Sequence, residues 1–137
     1  PLTTIPRGIF QYVETLSTDS VAPAQGLIAF WQQRANYIVT TSDTNLKSRA
    51  GVYLGAPTRG NMCFIQCFDE GGIGYVKAGA AATPAAQDKV YPAADGTATF
   101  LAAATPSDAN SEAEFGLALS GKDAATSLTL IQFLGAA

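Results

Sequence analysis

The sequence predicts an all-β protein, a small barrel or sandwich of about eight to ten short strands with an extended N-terminal arm. Short runs of β-branched and aromatic residues recur along the 137 residues, and turn signals separate them about every ten residues. No connection combines the length and the helical periodicity that a parallel βαβ unit requires. We expect residues 1–26 to form the arm and residues 27–137 to form one barrel-like domain.

The first 26 residues have the weakest regular pattern in the chain. Three prolines interrupt them, and the stretch LSTDSVAPAQG is typical of a loop. Between the prolines, GIFQYVETL fits one face of a helix through Ile9, Val13 and Leu16, or one face of a strand through Ile9, Gln11 and Val13. We favour an extended conformation for this segment.

Five strand patterns follow the arm. LIAFW, NYIVTT and GVYL are short, rich in β-branched or aromatic residues, and separated by polar stretches. NMCFIQCF is apolar on both faces, so we expect this strand to be covered on both sides. The following DEGG reads as a hairpin turn that leads into the strand IGYV.

The last third of the chain continues the same alternation of loops and strands. AGAAATPAAQ is predicted as a loop because Pro84 disfavours a long helix. Asp95-Gly96 predicts a hairpin with a type I′ turn, which requires positive φ at both central positions. TPSDANSEAE is predicted as a solvated loop, EFGLALS as a strand with one bulky face, and SLTLIQFL as a central strand.

Composition excludes several classes of function. Charged residues make up 14% of the chain, against about 25% in average domains, which suits a surface partly covered by neighbours. The net charge of -3 argues against nucleic-acid binding, which needs a basic surface. No apolar run approaches the roughly 20 residues of a membrane span. The opening PLTTIPRGIF lacks the pattern of a signal peptide, so we expect synthesis in a cytoplasm.

The candidate catalytic groups are incomplete. The chain has no His, which excludes Ser-His-Asp and Cys-His sites. GAPTRG, residues 55–60, has the glycine spacing of a P-loop, but Asn61 and Met62 replace the required Lys and Ser/Thr. Asp69-Glu70 belong to a Gly-rich turn, and the acidic pair of 112 and 114 belongs to a solvated loop. We predict no enzymatic activity, no cofactor and no metal.

The two cysteines are predicted to be structural. On a strand, Cys63 and Cys67 share a face about 13 Å apart, beyond the roughly 7 Å that a disulfide spans. Two thiols without His are too few for an ordinary zinc site. We therefore expect both to be buried and reduced, with an intermolecular bridge or a reactive thiol as the alternative.

Apolar side chains near the N-terminus suggest a docking surface. A free terminus usually frays, so five apolar residues there indicate docking on this protein or on another. Trp31, the only Trp, fits either a core or an interface. The candidate interface residues are Leu2, Ile5, Ile9, Phe10, Tyr12 and Trp31.

The second half of the sequence resembles a family of small tailed-bacteriophage capsid decoration (cement) proteins, some of which are labelled phage recombinases. The resemblance covers about residues 50–134. It rests on three motifs: Gly51-Val52-Tyr53-Leu54, Lys89-Val90-Tyr91 with Asp95-Gly96-Thr97, and Phe115-Gly116-Leu117-Ala118-Leu119. Where the family usually has Gly-Asp before Val-Tyr, this chain has Gln87-Asp88.

The resemblance implies a barrel-like protein on the outer surface of a phage head. Its expected partners are the major capsid protein and one or two further copies of itself, with no nucleic acid and no membrane. A protein that binds only the assembled lattice stabilises that lattice by linkage. The alternatives are another phage structural module, such as a fibre or tail part, and a small ligand-binding barrel.

Overall fold

The computed structural model describes residues 4–102 and 113–135, and in these ranges it contains ten β-strands and short 3-10 helices but no α-helix. Two of the 3-10 helices are Arg34–Asn36 and Leu46–Ser48. The strands are β1 Phe10–Thr15, β2 Ile28–Gln33, β3 Ile38–Thr40, β4 Arg49–Tyr53, β5 Met62–Gln66, β6 Ile73–Lys77, β7 Lys89–Pro92, β8 Ala98–Leu101, β9 Gly116–Ala118 and β10 Leu128–Phe133.

The strands form two sheets, which confirms the predicted all-β class. The first five strands close into a barrel in the order β1-β3-β2-β4-β5. The last five form a sheet in the order β6-β10-β9-β7-β8, so β10 is an internal strand as predicted. Neighbours are antiparallel except β1 and β3, which run parallel with Glu14 opposite Ile38.

Two hydrophobic cores follow from this arrangement. One fills the barrel with side chains from all five of its strands, including Val13, Val39 and Ile65, each fully buried. The other lies between the outer side of β2 and β4 and the second sheet. β2 therefore alternates between the two cores, since Ala29 points into the barrel and Ile28 and Phe30 point towards the second sheet.

The prediction of an N-terminal arm is wrong for residues 10–15, because these residues form a strand of the barrel. β1 pairs with β5 along five residues, from Phe10 opposite Gln66 to Glu14 opposite Met62, and with β3 on its other side. Val13 and Thr15 are fully buried. The main-chain groups of β3 and β5 need a partner to close the barrel, and β1 supplies it. The strand alternative for this segment is thus the correct one.

The residues that precede β1 contact the second sheet of the same chain. Arg7 and Ile73 exchange two main-chain hydrogen bonds of 2.8 Å, so this segment covers part of the edge strand β6. The buried side chain of Gln66 donates to the carbonyl oxygens of both Arg7 and Ile73, each at 2.9 Å. The segment around Arg7 is therefore held on its own protein.

The DEGG turn connects two sheets instead of two paired strands. Gly72 donates to the carbonyl oxygen of Asp69 at 3.0 Å, so a turn is present. β5 belongs to the barrel, however, and β6 pairs with β10 in the second sheet. The predicted hairpin is wrong, because turn residues set the local reversal but not the strand that pairs with the next one.

The hairpin predicted at Asp95-Gly96 is confirmed, with a different turn type. β7 and β8 pair along four residues across this loop. Gly96 has φ +86°, but Asp95 is not among the described residues with positive φ. Gly96 donates to the carbonyl oxygen of Ala93 at 3.0 Å, and Ala93 donates to that of Thr97 at 2.8 Å. This is the pattern of a type I turn followed by a left-handed glycine, which a longer loop permits.

The cysteines are half-buried rather than fully buried, and neither forms a disulfide. Cys63 packs against the barrel core, and Cys67 lies just after β5. Burial raises the pKa of both thiols, and the nearby Asp69 carboxylate adds to the effect at Cys67.

We expect both thiols to be labelled slowly in the native protein. A raised pKa leaves less thiolate at neutral pH, and the thiolate is the reacting species. Labelling of the native protein with a disulfide reagent at pH 7.5 should therefore be slower than labelling of the urea-unfolded protein. Each rate is divided by the rate at which the same reagent labels a free thiol in the same buffer. Equal rates in the two states would show that this region of β5 opens readily.

Candidate docking surface

The outer side of β1 and β5 carries a group of exposed apolar side chains. Tyr12 and Phe64 lie directly opposite each other on the two strands, and their ring centroids are 4.9 Å apart. Phe10 lies two residues before Tyr12 on β1, and Met62 lies two residues before Phe64 on β5, so both are on the same outer side. We call these four residues, Phe10, Tyr12, Met62 and Phe64, the β1–β5 face.

These side chains are unusually open to solvent. Tyr12 is 52% exposed and Phe64 is 55% exposed, while Phe10 and Met62 are 42% and 45% exposed. Fully burying a side chain of this size is worth roughly 1.5–3 kcal/mol. A contiguous apolar patch of this kind on a folded protein is typical of a surface that binds a partner.

The position of the second sheet explains why this face is uncovered. The core between the sheets takes its barrel residues from β2 and β4 and from Phe68, and none from β1 or β5 themselves. The second sheet therefore covers one part of the barrel wall and leaves the β1–β5 part open. The expectation that NMCFIQCF is covered on both sides is correct for its last residues, because Gln66 and Phe68 are buried on one face and Ile65 on the other. It is wrong for Met62 and Phe64, which are exposed.

Charge is sparse on this face. Glu14 lies opposite Met62 at one end of the patch and is exposed. Gln66, opposite Phe10, is turned away into its hydrogen bonds with the N-terminal segment and β6. The result is an apolar centre with the Glu14 carboxylate at its margin, and an apolar centre with a polar rim is the usual layout of a protein–protein contact.

The structure brings together some of the predicted interface residues and separates others. Phe10 and Tyr12 belong to the β1–β5 face, and Ile9 and Ile5 precede it, 61% and 78% exposed. Leu2 lies outside the described residues. Trp31 lies elsewhere: it packs against the barrel core, with the ring of Tyr37 6.4 Å away and the guanidinium of Arg34 5.6 Å from its own ring.

Met62 and Phe64 are the residues of the β1–β5 face that the sequence pattern did not identify. Their alternation with Cys63 and Ile65 predicts a strand buried on both sides. The only signal that could have separated them is the pairing with β1, because the partner strand also carries aromatic residues on its outer face. That pairing spans about fifty residues of sequence and is invisible to a local pattern.

The weak catalytic candidates all have structural roles or lie apart. The Asp69 carboxylate accepts the main-chain N–H of Ile9 at 3.2 Å, and Arg59 of the P-loop-like segment donates to the carbonyl oxygen of Asp19 at 2.7 Å. Glu114 is half-buried, and Glu112 lies outside the described residues. Within 4–102 and 113–135, no group of three or more Cys, Asp or Glu residues is placed to hold a metal ion.

In the part of the chain that the structure describes, no helix has the length and apolar character needed to cross a membrane.

The fold is similar to that of a solved phage protein. The chain superposes on the crystal structure of the N base of head fibre protein gp8.5 from bacteriophage phi29 with a TM-score of 0.53 and 16% sequence identity, covering 91% of this chain and 94% of that one. At this level of identity the similarity establishes the fold. No protein-family model matches the sequence. The comparison with curated proteins found no match either.

Proposed function

We propose that this chain is a structural protein of a bacteriophage virion, which decorates the outer surface of the head between capsomers and stabilises it. The observation that carries the proposal is the shared fold with the base of a phage head fibre, over nearly the whole of both chains. The motif resemblance to capsid decoration proteins over residues 50–134 supports the same assignment. The role needs no catalytic group and no cofactor, and we expect the chain to have neither.

The β1–β5 face is the surface we propose for contact with the major capsid protein. Its aromatic pair, Tyr12 and Phe64, has the residue types that dominate binding energy at protein interfaces. One face of this size binds weakly by itself. Assembly of two or three copies on a repeating lattice would raise the overall affinity by avidity, and binding only to the assembled head would stabilise it by linkage.

A second candidate is the base of a head fibre. The solved neighbour is itself a head fibre base, and the present chain matches almost all of it. In that case the β1–β5 face would seat the base on the head, and further chain would form the fibre. The two candidates share the virion and the docking face but differ in what stands above the surface.

The test uses heads of the phage that encodes the chain, prepared without this protein. Purified chain is added, bound protein is measured by co-sedimentation, and the heads are imaged by negative stain. We expect saturable binding with a fixed number of copies per head. Low knobs repeated over the lattice would indicate decoration, and projecting fibres at sparse positions on native virions would indicate a fibre base. Absence of binding by the wild-type chain would reject both candidates.

The double variant Tyr12→Ser, Phe64→Ser tests the face itself. We expect it to lower affinity for heads at least about tenfold, because aromatic residues at interface centres commonly contribute more than 1 kcal/mol each. Both side chains are more than half exposed, so the fold should persist. Tyr37→Ser is the matched control, since this residue is 53% exposed but lies outside the face. Unchanged binding by the double variant would move attachment to another surface.

A further inference from the structure

One end of the barrel opens into a cavity of about 520 Å³ that the proposed function does not use. It lies where β1 and β4 begin and β2 and β5 end, with Gln11, Trp31, Ala50 and Phe68 among its lining residues. We call it the mouth cavity. Its volume is within the roughly 300–1,000 Å³ of small-molecule sites.

Three cationic side chains line the mouth cavity, namely Arg34, Lys47 and Arg49. Two acidic residues, Asp69 and Glu70, also line it. The Asp69 carboxylate already accepts the main-chain N–H of Ile9 at 3.2 Å, so one of its oxygens has a partner within the protein. The cavity is thus more basic than the chain as a whole, which carries a net charge of -3.

Arg49 is the informative residue of the cavity. It is only 7% exposed, and its Nε atom has no hydrogen-bond partner. Its Nη2 atom donates to the main-chain oxygen of Glu114 at 3.3 Å, and no carboxylate among the described residues forms an ion pair with it. Burial lowers the pKa of the guanidinium, and no anionic neighbour offsets this effect. A buried cation with an unused donor is costly unless an acceptor reaches it.

The geometry of an arginine side chain indicates which acceptor fits. Nε carries one N–H and Nη2 carries two, and the Nε–H with the nearer N–H of Nη2 forms a fork along one edge of the guanidinium. A carboxylate matches such a fork with its two oxygens. Trp31 and Phe68 add apolar wall beside the cations, which suits the carbon body of an organic acid. Arg34, 5.6 Å from the Trp31 ring, adds positive charge at the same wall.

We propose that the mouth cavity binds a carboxylate, held edge-on by Arg49, with Arg34 and Lys47 providing the positive surroundings and Trp31 contacting its body. The carboxylate has two possible sources, a free organic acid or an Asp or Glu side chain of a protein partner. The proposal is independent of the function proposed above, since it concerns the isolated protein and a different surface.

The experiment uses Trp31 as a built-in reporter, because it is the only Trp in the chain. Fluorescence and melting temperature are followed while hexanoate, N-acetylglutamate amide, phosphate or chloride is added at constant ionic strength. We expect a saturable fluorescence change and a rising melting temperature with the carboxylates and none with chloride. Tighter binding of hexanoate would favour a free acid, and tighter binding of the glutamate derivative would favour a partner's side chain.

Two variants of Arg49 decide the outcome. Arg49→Met removes both the positive charge and the forked pair of N–H donors, whereas Arg49→Lys keeps the charge and removes only the forked pair. Each variant should weaken carboxylate binding at least about tenfold. Lys122→Met, which removes one positive charge outside the cavity, should bind like the wild type. If Arg49→Met does not fold, Arg49→Lys alone carries the test. Equal carboxylate binding by wild type and Arg49→Lys, tighter binding of phosphate, or no saturable response of the wild type would each overturn the proposal.

Discussion

Replacing Phe115 by alanine is expected to lower the free energy of unfolding by about 3–5 kcal/mol, the usual range for truncating a buried aromatic side chain. Phe115 is fully buried just before β9. Its ring centroid lies 4.4 Å from that of Phe68 and 6.3 Å from that of Phe133, so the three rings form one aromatic cluster. Its removal leaves a cavity between the barrel and the second sheet.

The cluster should be unable to close over this cavity. Phe68 follows the barrel strand β5 and Phe133 ends β10, so the two remaining rings are anchored to different sheets. Relaxation would require one sheet to move against the other. Urea unfolding measures the loss of stability. Leu117→Ala is the control, because Leu117 lies two residues later in β9 but is partly exposed, so its truncation should destabilise the protein clearly less. A loss below about 1 kcal/mol for Phe115→Ala would contradict a tightly packed contact between the sheets.

The class of fold could be predicted because it depends on local signals. Alternation, β-branched residues and turn residues identify strands one at a time, and ten strands with short loops leave few architectures. The division into a barrel and a second sheet could not be predicted in the same way. It depends on which strands pair, and β6 pairs with β10 about fifty residues later rather than with β5 beside it.

The β1–β5 face shows what a local sequence pattern leaves undecided. In β1 the outward face carries Phe10 and Tyr12 beside a glutamate, and the inward face carries Val13 beside polar residues, so alternation alone does not identify the buried face. Thr15 can be buried because its hydroxyl donates to the carbonyl oxygen of Asn61 at 3.0 Å, in the loop before β5. That bond and the pairing of Tyr12 with Phe64 are both long-range contacts.

Arg49 illustrates the same limit for the mouth cavity. The sequence pattern begins the strand GVYL at Gly51 and places Arg49 in a polar linker, where a charged residue needs no explanation. The structure begins β4 at Arg49 and buries it. Burial of a charge in a small barrel is set by the strands around it, and a sequence shows the charge without its surroundings.

Replacing Gly51 by alanine is expected to lower the free energy of unfolding by about 1–3 kcal/mol, the usual cost of overpacking. Gly51 lies in β4 opposite Ala29 of β2. A Cβ atom there would overlap the carbonyl oxygen of Gln66 and lie 3.1 Å from Cδ1 of Ile65. The carbonyl belongs to the backbone of β5, which is fixed by its pairing with β4 and β1, so it cannot move aside as a side chain could.

The matched change Gly55→Ala separates this steric effect from the loss of glycine itself. A Cβ atom at Gly55 meets nothing within 4 Å, and its φ is not in the left-handed region. Because alanine restricts the unfolded chain, this variant should be neutral or stabilised by about 0.4–1 kcal/mol. Urea unfolding of both variants should therefore give changes of opposite sign or a clear difference of more than about 1 kcal/mol. Equal stabilities would show that β4 and β5 are not packed as closely as the closed barrel requires. The pairing of β5 with β4 could then not be taken to hold the β1–β5 face in a fixed position.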